Sequence, residues 1–398
     1  MLFVCFVDKP RGPPKAPEAT GEFMKNPFVY GETVSGRHFC NRVNEVRELI
    51  RDIENGQNVI IYSPRRYGKT SLIIRVLERV KRKGILTFYA DLYPAINKEK
   101  FIEIYAKAIT VGLPGKMTSV LRKIDEYLPR VIPKAVMNER SMQFELEFDR
   151  SADFSPHIDD LLVAAKKAAD RHKKEAVVVF DEFQEIANFE DDEIERKMRS
   201  AFQAHRNVSY IFMGSKTHLM REIFNNPNRP FYKSGKHFPL QKIDPTELRK
   251  FAEDRFSSGG ISAGKGEMEE VLNTTECHPY YFQMLCNVLW EICQDSGVIL
   301  HHDIQESLDT LISRESSTYV AVWEGLTEKQ RSLMVALASE KYPAVFSAGF
   351  LGRYSLGSSS SIQKALKRLM ERDQVRQENG SYVIVDIFLK KWINRTWR

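Results

Sequence analysis

The sequence predicts an α/β fold in which a parallel sheet is followed by a helical segment and a small basic domain. Three observations carry this. Short apolar runs near 59–62, 85–94, 177–180 and 208–215 alternate with helical stretches, the pattern of a parallel sheet covered on both faces. From about Asp244 the pattern is helical, with no further apolar strand until Val375. Residues beyond 324 then read as helix, helix, helix, hairpin.

A chain of 398 residues has room for two or three domains, and 42% apolar with 28% charged residues is an ordinary globular composition. No apolar stretch approaches the roughly 20 residues of a membrane helix. The opening MLFVCFVD is too short for a signal peptide and lacks a basic leader, which predicts a cytoplasmic protein. The five cysteines show no C-x-x-C spacing, and Cys286 and Cys293 fall in an apolar helix, which suggests packing. The net charge of +6 is concentrated at the end: residues 351–398 hold ten Lys/Arg against four Asp/Glu, a hint of an acidic partner.

Residues 1–25, with KPRGPPKAPEATGE, read as a flexible N-terminal arm. Asn44 can cap a helix with Val46, Leu49, Ile50 and Ile53 on its apolar face. The strand at 59–62 then breaks into Ser63-Pro64-Arg65-Arg66-Tyr67-Gly68, and Lys69-Thr70-Ser71 opens a helix. Strand 85–94 and helices from 97 and over 116–127 follow. Residues 129–156 read as irregular, with FELEFD as a strand or edge hairpin. A helix over 158–172, the strand ending in Asp181-Glu182, a helix from 190 to about 204 and the strand ending in Ser215 complete the core. Helices follow from 244, over 264–273 and 279–294, and over 303–323. The divisions are a core over 26–243, a helical lid over 244–323 and a winged-helix domain over 324–398.

Strand, polar loop and Gly-Lys-Thr opening a helix form the order of a phosphate loop. Successive backbone N–H groups from Ser63 to Ser71 make an anion-sized hollow, and the helix N-terminus adds partial positive charge. Lys69 reaches the β- and γ-phosphates there, and Thr70 offers its hydroxyl to Mg²⁺. Asp181 ends a buried strand where ligands bind in parallel α/β sheets, and would hold Mg²⁺ directly or through water. Glu182 is placed to orient water for attack on the γ-phosphate. Ser215, at the same sheet edge, senses the γ-phosphate or the attacking water, or else caps the next helix. Arg229 is a candidate for transition-state charge stabilisation, in cis or from a neighbouring subunit of a homo-oligomer; the alternative is a surface loop arginine.

The third helix of the C-terminal domain exposes Lys364, Lys367, Arg368 and Arg372, and Arg376 lies in the wing. These could meet the phosphates of double-stranded DNA, while the same domain could instead bind protein.

The order GRHFCNRVNEVREL, SPRRYGKTSL, VVVFDEFQE, YIFMGSK, RPFY and CHPYYFQ resembles the archaeal-type ATPase family, in the AAA+/STAND branch of P-loop NTPases related to origin-recognition initiators. The resemblance covers Asn26 to the C-terminus. It implies a P-loop NTPase core with a helical lid and winged helix, binding and hydrolysing ATP with Mg²⁺. It further implies that Asn26–Phe28 and Phe39–Arg42 (Phe28, Phe39 and Arg42 among them) lie near the adenine, and that His278-Pro279 is the lid signature. Two positions depart from the family pattern: Ser63 and Cys277 stand where Gly is usual, and they bear on nucleotide affinity and lid geometry. Two outputs follow: an ATPase whose nucleotide state controls the winged helix, or an ATP-gated DNA-binding or protein-interaction switch with little turnover.

Overall fold

The structure, a computed structural model, describes residues 25–33, 39, 40, 42–115, 119, 124–128, 131–138, 141–148, 154–378 and 380–397. Expectations for most of the arm, for Arg37, His38 and Asn41, for most of 116–127 and for the turn residue Asn379 fall outside these.

The core runs α1 (Val43–Glu54), β1 (Val59–Tyr62), α2 (Lys69–Arg82), β2 (Leu86–Asp91) and α3 (Lys98–Gly112). A hairpin of β3 (Val131–Asn138) and β4 (Ser141–Phe148) precedes α4 (Phe154–His172). The chain continues through β5 (Ala176–Asp181), α5 (Glu193–Gln203), β6 (Val208–Gly214), α6 (Thr217–Asn225) and β7 (Lys236–Pro239). Five strands form one parallel sheet in the order β2-β5-β6-β1-β7. Side chains alternate across it. Ile60, Phe88, Val178, Phe180, Tyr210 and Phe212 face one apolar layer, while Val59, Ile61, Val177, Val179, Ile211 and Met213 face the other. Both faces are buried, so the strands read as continuous apolar runs.

The helical segment comprises α7 (Pro245–Ser258), β8 (Ser262–Ala263), α8 (Lys265–Thr274), α9 (Pro279–Cys293), β9 (Val298–Ile299), α10 (His301–Arg314) and α11 (Ser316–Glu324). The C-terminal domain comprises α12 (Glu328–Ser339), α13 (Ala348–Arg353), α14 (Ser359–Glu371), the hairpin β10 (Val375–Glu378) and β11 (Ser381–Ile384), and α15 (Ile387–Thr396).

Several elements differ from the sequence expectation. Within residues 129–156, read as irregular apart from FELEFD, that strand or edge-hairpin reading falls in β4, and the difference is the partner strand β3 and the eight-residue length of the ladder. Over 116–127 the described residues are Ser119, which is helical as expected, and 124–127, where Ile124–Glu126 form a 3₁₀ turn instead of α-helix. Strand β7 was not predicted because it is four residues at the sheet edge with only Phe238 buried. The two-residue strands β8 and β9 pair in the segment expected to lack strands. One helix over 303–323 becomes two, since Glu315 (φ −91, ψ 0) ends α10 and starts α11. Helix α15 was also missed, although Asp386 caps it by accepting from the backbone N–H groups of Phe388 and Leu389.

Candidate functional site

Strand β1 delivers the chain to a loop whose left-handed residues are Arg66 (φ 66) and Gly68 (φ 83). Gly68 stands at the N-cap of α2, where only a residue without Cβ enters freely. Ser63, in place of the usual Gly, does not carry a positive φ; it is buried, and its hydroxyl donates to the Pro64 carbonyl at 3.2 Å. The substitution therefore puts no left-handed strain into the loop.

Lys69 is 6% exposed and its ammonium donates to the carbonyls of Ser63 (3.0 Å) and Pro64 (3.2 Å). Burial lowers its pKa, and the facing Glu182 and Asp181 carboxylates oppose that. Thr70 Oγ1 donates to Asp181 Oδ2 at 3.0 Å, and Tyr89 Oη donates to the same oxygen at 2.7 Å. Burial raises the Asp181 pKa against these hydrogen bonds. Tyr89 was not foreseen. It reaches Asp181 because β2 lies beside β5, with Asp91 in register with Asp181, and a single strand's pattern does not reveal its neighbour.

Glu182 (φ 49) leaves the strand in the left-handed region. Its Oε2 accepts from Ser215 Oγ at 2.7 Å and from Gln184 Nε2 at 2.6 Å. Ser215 is thus spent on Glu182, while Lys216 stands at the N-cap of α6. Gln184 is fully buried and was also missed. A Cβ on Gly214 would come within 2.4 Å of its Oε1, so that glycine makes room for the amide behind Glu182.

A cavity of about 370 Å³ opens above these groups. Arg65 to Ser71, Glu182 and Ser215 line one part; Val29, Tyr30, Phe39, Ile243, Tyr280 and Gln283 line another. Phe39 and Arg42 line it, Arg42 fully buried with Nη2 donating to the carbonyls of Tyr67 (3.0 Å) and Gln241 (2.9 Å). Phe28 does not. Its ring packs on Phe256 (4.6 Å), Phe251 and Trp290, because Asn26 and Asn287 tie this segment along α9.

Pro279 lines the cavity, and His278 caps α9 by accepting the Tyr280 N–H at Nδ1 (3.3 Å). The His278 ring meets Tyr67 edge-on at 4.7 Å. Burial, with Arg376, Lys242 and Arg66 nearby, pushes its pKa down to about 3, so the imidazole is neutral. Cys277 carries φ 54, the conformation that explains why glycine is usual there. Arg66 lies over the Tyr280 ring at 4.2 Å, joining the loop to α9.

Arg229 does not line the cavity: its Nη2 is bound to Glu195 of α5, whose carboxyl burial pushes up to about 7. Of the basic set, Lys364, Lys367 and Arg368 are exposed on α14, with Arg368 paired to Glu371 at 3.2 Å. Arg372 is turned to the Gly325 carbonyl (2.9 Å). Arg376 faces inward: Nη2 donates to Tyr67 Oη (3.3 Å) and to Glu378 Oε2 (2.8 Å). Beside it, Arg65 and Asp373 approach to 3.9 Å across a cleft of about 450 Å³.

A buried ammonium at a helix start, two carboxylates across from it and an apolar wall beyond suit a polyphosphate carrying a planar base. With this sheet order they define a P-loop ATPase. Residues 39–285 match the family described as an ATPase domain predominantly from Archaea, and the chain belongs to that family. Residues 317–395 match a probable winged helix domain. In fold the chain is similar to the Walker-type ATPase paby2304 of Pyrococcus abyssi, at 15% identity over 92% of this chain and 99% of that one, with a TM-score of 0.64. It is also similar to the ORC2 protein of Aeropyrum pernix in ADPNP–ADP complexes, at 13% identity over 94% and 99%, with a TM-score of 0.55. No curated protein matches the chain in sequence. Among the described residues, no helix is long and apolar enough to cross a membrane.

Proposed function

We propose that this ATPase is Mg²⁺-dependent and that its nucleotide state controls the C-terminal winged helix, with a core over 26–243, a lid over 244–323 and the winged helix over 324–398. The observation that carries the reading is the contact of Arg376, in the wing, with Tyr67, inside the phosphate loop. Tyr67 also touches the lid through His278, so one loop side chain meets both the lid and the wing.

In this reading the Lys69 ammonium exchanges two neutral carbonyls for the β- and γ-phosphate oxygens, which hold it more strongly. Thr70 and Asp181 are hard oxygen donors 3.0 Å apart, a set that suits Mg²⁺. Among the described residues no cluster of three His, Cys, Asp or Glu side chains could hold a metal, so phosphate oxygens and water would complete the shell. When bound, the ion supplies neutralisation of charge on the β- and γ-oxygens. Ser215 and Gln184 fix Glu182 Oε2, and among the described residues Oε1 has no protein partner, leaving it to orient a water toward the γ-phosphate. Arg229 would have to leave Glu195 before stabilising phosphate charge, in cis or in a homo-oligomer.

A second reading, a DNA- or protein-binding switch with little turnover, is favoured by the exposure of Lys364, Lys367 and Arg368 together. The deciding experiment measures ATP hydrolysis by the wild type, Lys69→Ala and Glu182→Gln, each with and without duplex DNA over a salt series. We expect turnover to fall at least about a hundredfold in both variants, with ATP binding kept in Glu182→Gln. Stimulation by DNA that fades with salt supports DNA as the partner. Indifference to DNA points to protein, and tight ATP binding without wild-type turnover supports the switch.

A further inference from the structure

We infer that Gln283 reads the nucleotide base, selecting adenine by accepting from its N6 amine and donating to its N7 nitrogen. This rests on the nucleotide reading of the cavity.

Helix α9 turns Pro279, Tyr280 and Gln283 to the cavity, positions one and four residues apart on one face. One turn further, Asn287 Nδ2 donates to the Phe28 carbonyl at 2.7 Å while its own carbonyl accepts from Asn26 at 2.9 Å. These bonds lay the N-terminal segment along α9 and bring Val29 and Tyr30 to the wall that Gln283 shares. The phosphate end is set on other elements, by Gly68 to Thr70 and Glu182. Gln283 therefore belongs to the part of the cavity that would receive the base.

The wall there is otherwise mainly aromatic or aliphatic. Tyr280 and Phe39 offer ring faces, and stacking accepts any base. Selection needs a polar group with a fixed pattern. Gln283 is buried, at 7% exposure, whereas Glu32 and Thr33 on the same wall are exposed and the buried Arg42 is committed to the carbonyls of Tyr67 and Gln241. A carboxamide holds a donor and an acceptor side by side, which matches adenine N6–H and N7. Guanine presents two acceptors, O6 and N7, on that edge, and the same amide can satisfy only one.

The test is displacement of a fluorescent ADP derivative from the full chain by ADP, 7-deaza-ADP, purine riboside diphosphate and GDP; diphosphates avoid turnover. We expect the wild type to favour ADP over each analogue by roughly tenfold. Gln283→Met, close in shape, should bind ADP, 7-deaza-ADP and the purine diphosphate equally. Gln283→Glu keeps the acceptor and loses the donor. It should lose or reverse the preference for ADP over 7-deaza-ADP, because a carboxylate oxygen repels the N7 lone pair, while still favouring ADP over the purine diphosphate. Affinity lowered in proportion for all four ligands, with the wild-type ratios kept in both variants, would mean a packing role and overturn this inference alone. A wild type that binds none of them would overturn the nucleotide reading itself.

Discussion

Single residues at this site are defined by what burial does to their charge. His278 is 2% exposed and its pKa is pushed from the ordinary value near 6.5 down to about 3. Between those values the unfolded chain binds a proton that the folded chain refuses, so stability falls as pH drops. The loss through this one group should reach roughly 3 kcal/mol by pH 4. Urea midpoints from pH 7 to 4 should show the decline, and His278→Asn, which keeps an acceptor for the Tyr280 N–H, should flatten it. Lys69, Thr70, Asp181 and Glu182 were legible in the sequence because each is announced by a local pattern. Tyr89 and Gln184 were not, because their roles depend on which strands are neighbours and on the space above Gly214.

At the scale of elements, the strand ends of β5 and β6 act as one unit. Gly214 closes β6, Ser215 follows it, and both address the 3₁₀ turn Phe183–Asn188 through Glu182 and Gln184. Gly214→Ala should therefore cost about 1–3 kcal/mol in stability by overpacking against Gln184 and Met220. It should also lower turnover more than ATP binding, because the displaced amide no longer holds Glu182; denaturant titration and steady-state kinetics separate the two effects. The parallel core, the helices after 244 and the wing were legible from apolar runs and from Gly380 in the turn. Strand β7 was hidden by its polar residues, and the split at Glu315 by a helical pattern that continues across it.

At the scale of the whole molecule, the wing is anchored to the phosphate loop by few polar contacts. Arg376→Ala removes the bond to Tyr67 and the pair with Glu378. In the wild type, ATP should change amide hydrogen exchange over 375–384; in the variant that change should disappear while the core's response remains. Behind those contacts lies a continuous apolar interior. It runs from Phe28 and Cys40 through α7–α11 into the winged helix, and the layers on the two sheet faces form separate clusters. The chain should therefore melt as two cooperative blocks, one built on the sheet and one on α7–α11 and the winged helix together. Calorimetry of the free protein should resolve two transitions. ATP, touching both blocks at once, should draw them toward a single one by mass action. The loop that grips phosphate would then also be the rivet through which a small ligand makes two blocks unfold as one.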